Sequence, residues 1–270
     1  MSRILIIGDL HVKAFLLPFI EKTIKQKTPD QIILMGDYLD DWGVSSTVNV
    51  EATQKIFTWS RRQGNATLLF GNHDMAYYSG SGNCSGNDYT IRGKVRKLLE
   101  DNLDILRVAE SSGGWLLSHA GLCSLWTQQS LHEPATPSKA AEQINELLKS
   151  PESLEQLETI GRRRGGWQKP GPLWADWSEL AEDYYPGFNQ IVGHSPKRTC
   201  KQIITKAGEQ LWCCDTFSTN SKGKPYGDQS MLLLDTCSGT VSAVGVADRT
   251  GIGWSYQKYS SGIQHWEEYL

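Results

Sequence analysis

The sequence predicts an α/β fold in which helices cover a parallel sheet, and the first third of the chain carries the evidence. Three apolar runs, Ile4 to Ile7, Ile32 to Met35 and Ala66 to Phe70, have the length and continuity of strands that are buried on both faces. Residues 15–27 and 50–62 lie between them and show helical spacing of apolar side chains. Strands that alternate with helices in this way run parallel and carry helices on their faces.

The remainder of the chain is predicted to complete one domain spanning residues 1–270. Residues 77–88 are rich in Gly, Ser and Asn and predict a loop. Further elements are predicted as a helix at 89–102, a hairpin with strands at 106–109 and 115–118, a helical insertion at about 125–187, and antiparallel strands at 211–215, 231–235 and 240–246.

Composition excludes several classes of protein. The net charge is −3, and a mild acidic excess argues against nucleic acid as a partner, which needs clustered Lys and Arg. No apolar run is long enough to cross a bilayer, and the first residues lack the features of a signal peptide, so we expect a cytoplasmic protein without a membrane partner. Six cysteines without a C-x-x-C pair predict free thiols.

Five short polar motifs each follow an apolar run. They are Gly8-Asp9-Leu10-His11, Gly36-Asp37-Tyr38-Leu39-Asp40, Gly71-Asn72-His73-Asp74, Ser118-His119-Ala120-Gly121 and Gly193-His194-Ser195-Pro196. Each motif is weak alone, because a single Gly-Asp is usually a turn and a single His is usually a satisfied polar residue. Together they indicate one site, because ligands of open α/β sheets bind at the carboxyl ends of the strands.

The residue types in these motifs are those that bind divalent metal ions. Carboxylate, imidazole and amide oxygen suit Mn²⁺, Fe²⁺ or Zn²⁺. Two such ions that share a carboxylate can clamp the attacking and leaving oxygens of a phosphoryl transfer, and a hydroxide that bridges them is a nucleophile near neutral pH.

In order and context the motifs resemble the calcineurin-like metallophosphoesterase superfamily. The chain is most similar to its serine/threonine phosphoprotein phosphatases and to the bacterial and phage phosphatases like them, which include diadenosine tetraphosphatases. The resemblance spans Ile4 to Asp235, and Trp174-Ala175-Asp176 and Asp215-Thr216 resemble further elements of these relatives. It implies two facing sheets covered by helices on both sides.

The resemblance also implies the roles of the site residues. Asp9, His11 and Asp37 would bind a first ion, and Asp37, Asn72, His119 and His194 a second, with Mn²⁺ expected and Fe²⁺ or Zn²⁺ as alternatives. His73 would protonate the leaving group, oriented by Asp40, in keeping with general acid catalysis. The alternative for His73 and Asp40 is a purely structural role, in which they only hold the metal ligands in place.

Two positions depart from the relatives. Asp41 stands where phosphoprotein phosphatases carry Arg, and an acidic residue there would repel phosphate. Pro196 stands where many other metallophosphoesterases carry a further metal-binding His. We therefore expect a phosphate clamp from Arg162, Arg163 or Arg164 in the insertion, because Arg binds phosphate in a bidentate manner, although a short basic run is often only a solvated surface.

The resulting expectation is a metal-dependent hydrolase that cleaves a phosphomonoester of a small molecule or a phosphoprotein. Two alternatives stay open at this point, a hydrolase of dinucleotide polyphosphates and a metal-binding scaffold without catalysis. A nuclease is disfavoured, since it would prefer a basic groove and a His at the position of Pro196.

Overall fold

Two sheets form the centre of the molecule in the computed structural model, which describes residues 2–253, 255 and 256. The described strands are β1 (Arg3–Ile7), β2 (Gln31–Leu34), β3 (Ala66–Leu69), β4 (Leu106–Arg107), β5 (Ala109–Ser112), β6 (Trp115–Ser118), β7 (Asn189–Val192), β8 (Lys201–Ile204), β9 (Gln210–Cys213), β10 (Met231–Asp235) and β11 (Thr240–Val244). The first sheet has the order β11-β10-β1-β2-β3-β4, and the second has the order β5-β6-β7-β9-β8.

Both sheets are mixed. Strands β1 to β4 run parallel, whereas β10 and β11 are antiparallel additions at the edge beside β1. In the second sheet β6, β7 and β9 run parallel, and β5 and β8 are antiparallel edges. The predicted α/β fold with two facing sheets is confirmed.

The alternation of side chains along the strands divides the core into two layers. In β1, Ile4 and Ile6 belong to a cluster with Trp115, Leu117 and Ile191 of the second sheet. The intervening residues of β1 belong to a larger cluster that contains side chains from the helices. A strand that is covered by a sheet on one face and by helices on the other must be apolar throughout, which accounts for the uninterrupted apolar run.

The described α-helices lie outside the two sheets. They are α1 (Leu17–Lys27), α2 (Ser46–Gln63), α3 (Asn72–Ser79), α4 (Arg92–Glu100), α5 (Ser124–Ser130), α6 (Pro137–Glu146), α7 (Pro151–Leu157) and α8 (Trp177–Asp183). Helix α2 buries Ile56, Phe57 and Trp59, as its spacing predicts. It begins after Ser45, whose hydroxyl accepts the N–H of Val48, and ends at Gly64 in a left-handed conformation.

The prediction of a loop over residues 77–88 is wrong at its start. Residues 77–79 are the last turn of α3, so Asn72 and His73 form the first turn of a short helix that directly follows β3. The prediction of a strand at 106–109 also needs correction. Its two halves belong to different sheets, and the chain crosses between them at Val108, where Asn145 Oδ1 accepts the N–H groups of Val108 and Ala109.

The late strands agree only in part with the prediction that all are antiparallel. Strands β10 and β11 are antiparallel, but β9 runs parallel to β7 and antiparallel to β8. Strand β8 was not predicted, because as an edge strand it is mostly exposed and lacks a continuous apolar run.

The segment between β6 and β7 is helical and shares the core of the sheets. Its buried residues Trp126, Ile144, Leu157, Leu173 and Leu180 belong to the same cluster as the helix-facing residues of β1. This sharing favours an insertion into one domain rather than a separately folded unit. Among the helices described, none has the length and apolar character that crossing a membrane requires.

Candidate metal centre

The five polar motifs meet at one edge of the two sheets. Asp9, Asp37 and Asn72 follow β1, β2 and β3 of the first sheet, while His119 and His194 follow β6 and β7 of the second. A cavity of about 600 Å³ opens at this edge, and its lining includes His11, Asp37, Asn72, His73 and His194. The site therefore lies across the junction of the two sheets, where neither sheet alone could form it.

Asp37 lies at the centre of the site. Its Oδ2 is 3.6 Å from His11 Nε2 and 3.4 Å from His119 Nε2, and its Oδ1 accepts the backbone N–H of His73 at 3.0 Å. The backbone of Asp37 has a φ of 54°, in the left-handed region. A side chain at Gly71 would place its Cβ 2.0 Å from Asp37 Oδ1, so glycine is required for the close approach of this carboxylate.

Several side-chain atoms that can bind a metal ion converge beside Asp37. His119 Nδ1 is 2.7 Å from the carbonyl oxygen of Met35 and donates to it, which leaves Nε2 as an acceptor in the neutral ring. That Nε2 lies 3.0 Å from Asn72 Oδ1 and 3.1 Å from His194 Nδ1. A proton or a metal ion must lie between atoms at such distances, and two imidazole nitrogens with an amide oxygen and a carboxylate form a donor set that fits a divalent ion.

A second group of ligand atoms lies on the other side of Asp37. His11 Nδ1 is 2.7 Å from the carbonyl oxygen of Asp40, so its Nε2 faces Asp37. Asp9 Oδ2 accepts the N–H of His194 at 2.8 Å, whereas its buried Oδ1 has no hydrogen-bond partner within the described part of the chain. A Cβ at Gly193 would lie 2.1 Å from that Oδ1. A buried carboxylate oxygen that has no hydrogen-bond partner, and that the backbone of a glycine approaches closely, is suited to bind a metal ion.

The clusters defined by mutual distance are His11 with Asp37 and His73, and Asp37 with His119 and His194. Asp9 lies outside both, and His73 takes its place in the first. His73 is close enough to join this cluster, and its Nδ1 is bound to Asp40.

The electrostatics of the site are those of a crowded group of charges. Burial raises the pKa of Asp9 well above its usual range, and the neighbouring carboxylates of Asp215 and Asp37 raise it further. Burial opposes the charge on His119, yet Asp37 and Asp9 raise its pKa to about 9. Burial and the nearby charges of His119 and Arg164 hold the pKa of His194 well below its usual value. The pKa values of these two adjacent imidazoles shift in opposite directions because, besides burial, a positive charge on His119 disfavours a second one on His194.

His73 and Asp40 form a hydrogen-bonded pair at the cavity. His73 Nδ1 is 3.0 Å from Asp40 Oδ2, and Asp40 Oδ1 accepts from Asn49 Nδ2 at 2.7 Å and from the hydroxyl of Tyr77 at 2.9 Å. Burial opposes protonation of His73, but the charge of Asp37 and the bond to Asp40 outweigh it and raise the pKa of His73 well above its usual value. Tyr77 and Asn49 come from α3 and α2, which sequence motifs alone did not identify.

Asp74 has a structural position. It is fully buried, and its two oxygens accept the backbone N–H groups of Asp37, Tyr38 and Gly71 at 2.8, 3.0 and 2.9 Å. Burial and the charge of Asp37 raise the pKa of Asp74 to about 7. Asp74 thereby joins the loop after β2 to the start of α3.

The three consecutive arginines occupy different environments. Arg164 lines the cavity, and its Nη2 donates to Ser195 Oγ at 3.0 Å and to the carbonyl oxygen of His194 at 3.2 Å. Arg164 Nη2 also lies 3.2 Å from Asp176 Oδ2. Arg163 pairs with Glu182 at 3.6 Å, and the side chains of Arg163 and Glu182 are mostly exposed. Arg162 and Arg163 are absent from the lining of the cavity.

The negative charge of Asp41 is compensated, contrary to the expectation that it would repel phosphate. Its Oδ2 lies 2.6 Å from Nζ of Lys13, whose side chain is fully buried, and the hydroxyl of Thr219 donates to it at 3.0 Å. Lys13 follows the first motif by only two residues, but nothing in the sequence connects it to Asp41.

Two further residues at the site were not assigned roles from the sequence. The thiol of Cys84 accepts from Asn72 Nδ2 at 3.0 Å, which orients the amide so that Oδ1 faces His119. A single cysteine in a polar loop carries no signal for such a contact. Asp215 is buried and lines the cavity, and the resemblance of Asp215-Thr216 to bacterial relatives was the available signal.

Comparisons with known proteins identify the family of this chain. The family model of calcineurin-like phosphoesterases matches residues 2–219. Among solved structures, a cold-active protein tyrosine phosphatase is similar with a TM-score of 0.55 and 17% identity, over 90% of this chain and 78% of that one. A metallophosphoesterase from Sphaerobacter thermophilus has a TM-score of 0.46 and 15% identity, over 96% and 94% of the two chains. No curated protein sequence matches significantly. The chain belongs to the calcineurin-like phosphoesterase family of metal-dependent hydrolases.

Proposed function

We propose that this protein is a binuclear metal-dependent phosphatase that hydrolyses phosphomonoesters of small molecules or phosphoproteins. The observation that carries the proposal is the convergence of acceptor atoms on both sides of Asp37, next to a histidine that is bound to a carboxylate and faces the same cavity.

In this proposal Asp9, His11 and Asp37 hold one ion, and Asp37, Asn72, His119 and His194 hold the other. Such ions, when bound, would acidify a water molecule as nucleophile and would neutralise the phosphoryl oxygens. Mixed imidazole, carboxylate and amide ligands suit Mn²⁺, with Fe²⁺ or Zn²⁺ as alternatives.

His73 serves as the general acid. Asp40 holds Nδ1 of His73 and favours the protonated ring, so the remaining ring nitrogen can give its proton to the departing oxygen. Asp40 keeps its position because Asn49 and Tyr77 bind its other oxygen.

Arg164 serves as the phosphate clamp. Its contacts with Ser195 and with the backbone of His194 fix the guanidinium next to the second cluster of ligands. Among the described residues that line the cavity, Arg164 is the one with a permanent positive charge. One such charge together with two ions suits a substrate with a single phosphoryl group. A dinucleotide polyphosphate would present several phosphoryl groups.

The test is hydrolysis by protein that has been stripped with a chelator and reloaded with Mn²⁺. We expect turnover of 4-nitrophenyl phosphate and of an alkyl phosphate, and much slower turnover of a phosphodiester and of a dinucleotide polyphosphate. The variant His73→Ala should keep its metal content and lose roughly 10²–10⁴-fold in kcat on the alkyl phosphate, but far less on 4-nitrophenyl phosphate, whose leaving group needs little protonation.

Two results would contradict the proposal. Reloaded protein that hydrolyses neither monoester would indicate a scaffold. Equal losses for His73→Ala on both esters, with metal content unchanged, would show that His73 is not the general acid.

A further inference from the structure

We propose that Trp42 is a stacking platform for the leaving group, and that the substrates are phosphomonoesters whose leaving group carries a flat aromatic ring. This inference rests on the proposed phosphatase function and specifies its substrate class. The shared chemistry is the ring, which a nucleoside or a phenol such as tyrosine could supply.

The exposure of Trp42 is the first observation. The residue is 57% exposed although it lines the cavity beside His73 and Asp40. Trp is highly buried on average, so a large exposed indole at the mouth of a site indicates a binding surface. The other tryptophan in the lining, Trp174, is almost completely buried and lies 5.9 Å from the ring of His194.

Trp42 is also firmly attached to the protein at its backbone. Its N–H donates to Asp41 Oδ1 at 2.8 Å, and Asp41 is bound to the buried Lys13 and to Thr219. Because the backbone is fixed before a ligand arrives, stacking on the indole costs less conformational entropy than stacking on a mobile loop. Asp41, whose charge is compensated by Lys13, thus has the role of holding the backbone of Trp42 rather than of contacting phosphate.

The position of Trp42 assigns it to the leaving group. Asp40 binds His73 through Oδ2 and precedes Trp42 by two residues, so the platform is part of the loop that orients the general acid. A leaving group that takes a proton from His73 departs on that side of the cavity. Arg164 is bound to the His194 segment instead, so the phosphoryl and leaving-group ends of the substrate have separate partners.

The rest of the lining on this side fits an uncharged ring. Asn83 and Ser85 contribute small polar side chains to the same cavity, and Gly86 contributes only backbone. They leave room for a flat group and can bind the polar edge of a base or a peptide. They carry no positive charge, which disfavours a second phosphate.

The test measures the effect of Trp42→Ala on substrates with and without a ring, each compared with its own wild-type rate. Ribose 5-phosphate and adenosine 5′-monophosphate have the same primary alcohol as leaving group, and phosphoserine and phosphotyrosine form a second pair. We expect Trp42→Ala to lower kcat/KM roughly 5–50-fold for adenosine monophosphate, for phosphotyrosine or for both, the range that one stacked ring supplies. Trp42→Ala should change kcat/KM for ribose 5-phosphate and phosphoserine less than about 2-fold. Trp42→Phe should retain most of the wild-type kcat/KM for the ring-bearing substrates.

Trp167 provides the matched control. It is 89% exposed in the insertion and absent from the lining of the cavity, so Trp167→Ala should leave all four rates unchanged. A loss confined to one ring-bearing substrate identifies the source of the ring. Equal effects on substrates with and without a ring, or no effect of Trp42→Ala on either ring-bearing substrate, would overturn this inference while turnover of ribose 5-phosphate upholds the phosphatase function. If the wild-type protein hydrolyses none of the four, both proposals fail.

Discussion

Single side chains at this site differ in role even when they are adjacent in sequence. Asn72 has its amide oxygen directed at His119, His73 binds Asp40, and Asp74 binds three backbone N–H groups. The same holds in the insertion, where Arg164 lines the cavity and Arg163 pairs with Glu182. A one-residue step along a helical turn rotates a side chain by about 100°, so neighbours in a motif face different partners.

Arg164 can be tested against its own neighbour. We expect Arg164→Ala to lower kcat/KM on a phosphomonoester by roughly 10–100-fold, or about 1.4–2.7 kcal/mol of transition-state stabilisation, because negative charge spreads over the equatorial phosphoryl oxygens. The matched change Arg163→Ala, which removes an exposed side chain outside the cavity, should have little effect. Near-wild-type activity of Arg164→Ala with full metal content would place the clamp elsewhere.

Site residues that follow strands can be predicted from the sequence. Residues that contact the site only because a loop folds back on it cannot. Asp9, Asp37 and His119 follow continuous apolar runs, so they are expected at the carboxyl ends of strands, where ligands of α/β sheets bind. Cys84 and Lys13 contact site residues only because loops fold back on them. Such contacts depend on tertiary packing, which no local pattern encodes.

At the scale of elements, the connections between strands and helices shape the site. The loop after β2 and the first turn of α3 approach each other so closely that Gly71 cannot be replaced, and Asp74 ties them together. Long elements with an apolar stripe, such as α2, could be predicted from spacing. The short helix α3 could not be predicted from spacing. Most of its eight residues are buried, and its polar side chains bind groups of the site, so they do not mark an exposed helix face.

Removal of the Asp74 carboxylate should therefore destabilise the protein. Asp74→Ala leaves the N–H groups of Asp37, Tyr38 and Gly71 buried without an acceptor, and we expect a loss of roughly 2–4 kcal/mol in the free energy of unfolding. Urea denaturation of metal-free protein measures it. Asp104→Ala, which breaks an exposed ion pair with Arg61, is the control and should cost far less. Similar midpoints for the two variants would show that Asp74 is not a structural centre.

At the scale of the whole molecule, the site joins the two sheets. The first sheet contributes Asp9, Asp37 and Asn72, and the second contributes His119 and His194. The apolar cluster between the sheets holds them together away from this edge. At the edge itself, burial and neighbouring carboxylates raise the pKa of Asp9, and burial and the charge of His119 lower the pKa of His194, so the ion-free junction is electrostatically unfavourable.

We therefore expect bound ions to stabilise the whole fold and not only the cavity. An ion that binds the native state alone at a free concentration of 100 Kd adds about 2.7 kcal/mol, which corresponds to a rise of roughly 5–10 °C in Tm for a chain of this size. Calorimetry of chelated and Mn²⁺-loaded protein measures the rise. Asp37→Asn removes the carboxylate that both clusters share, so most of the Mn²⁺-dependent rise should disappear in that variant. His132→Ala, which changes an exposed histidine of the insertion, should retain it. Because each variant is compared with its own chelated form, any loss of stability from the substitution itself cancels. An equal rise in Asp37→Asn and wild type would mean that the stabilising ions bind somewhere other than the junction of the two sheets.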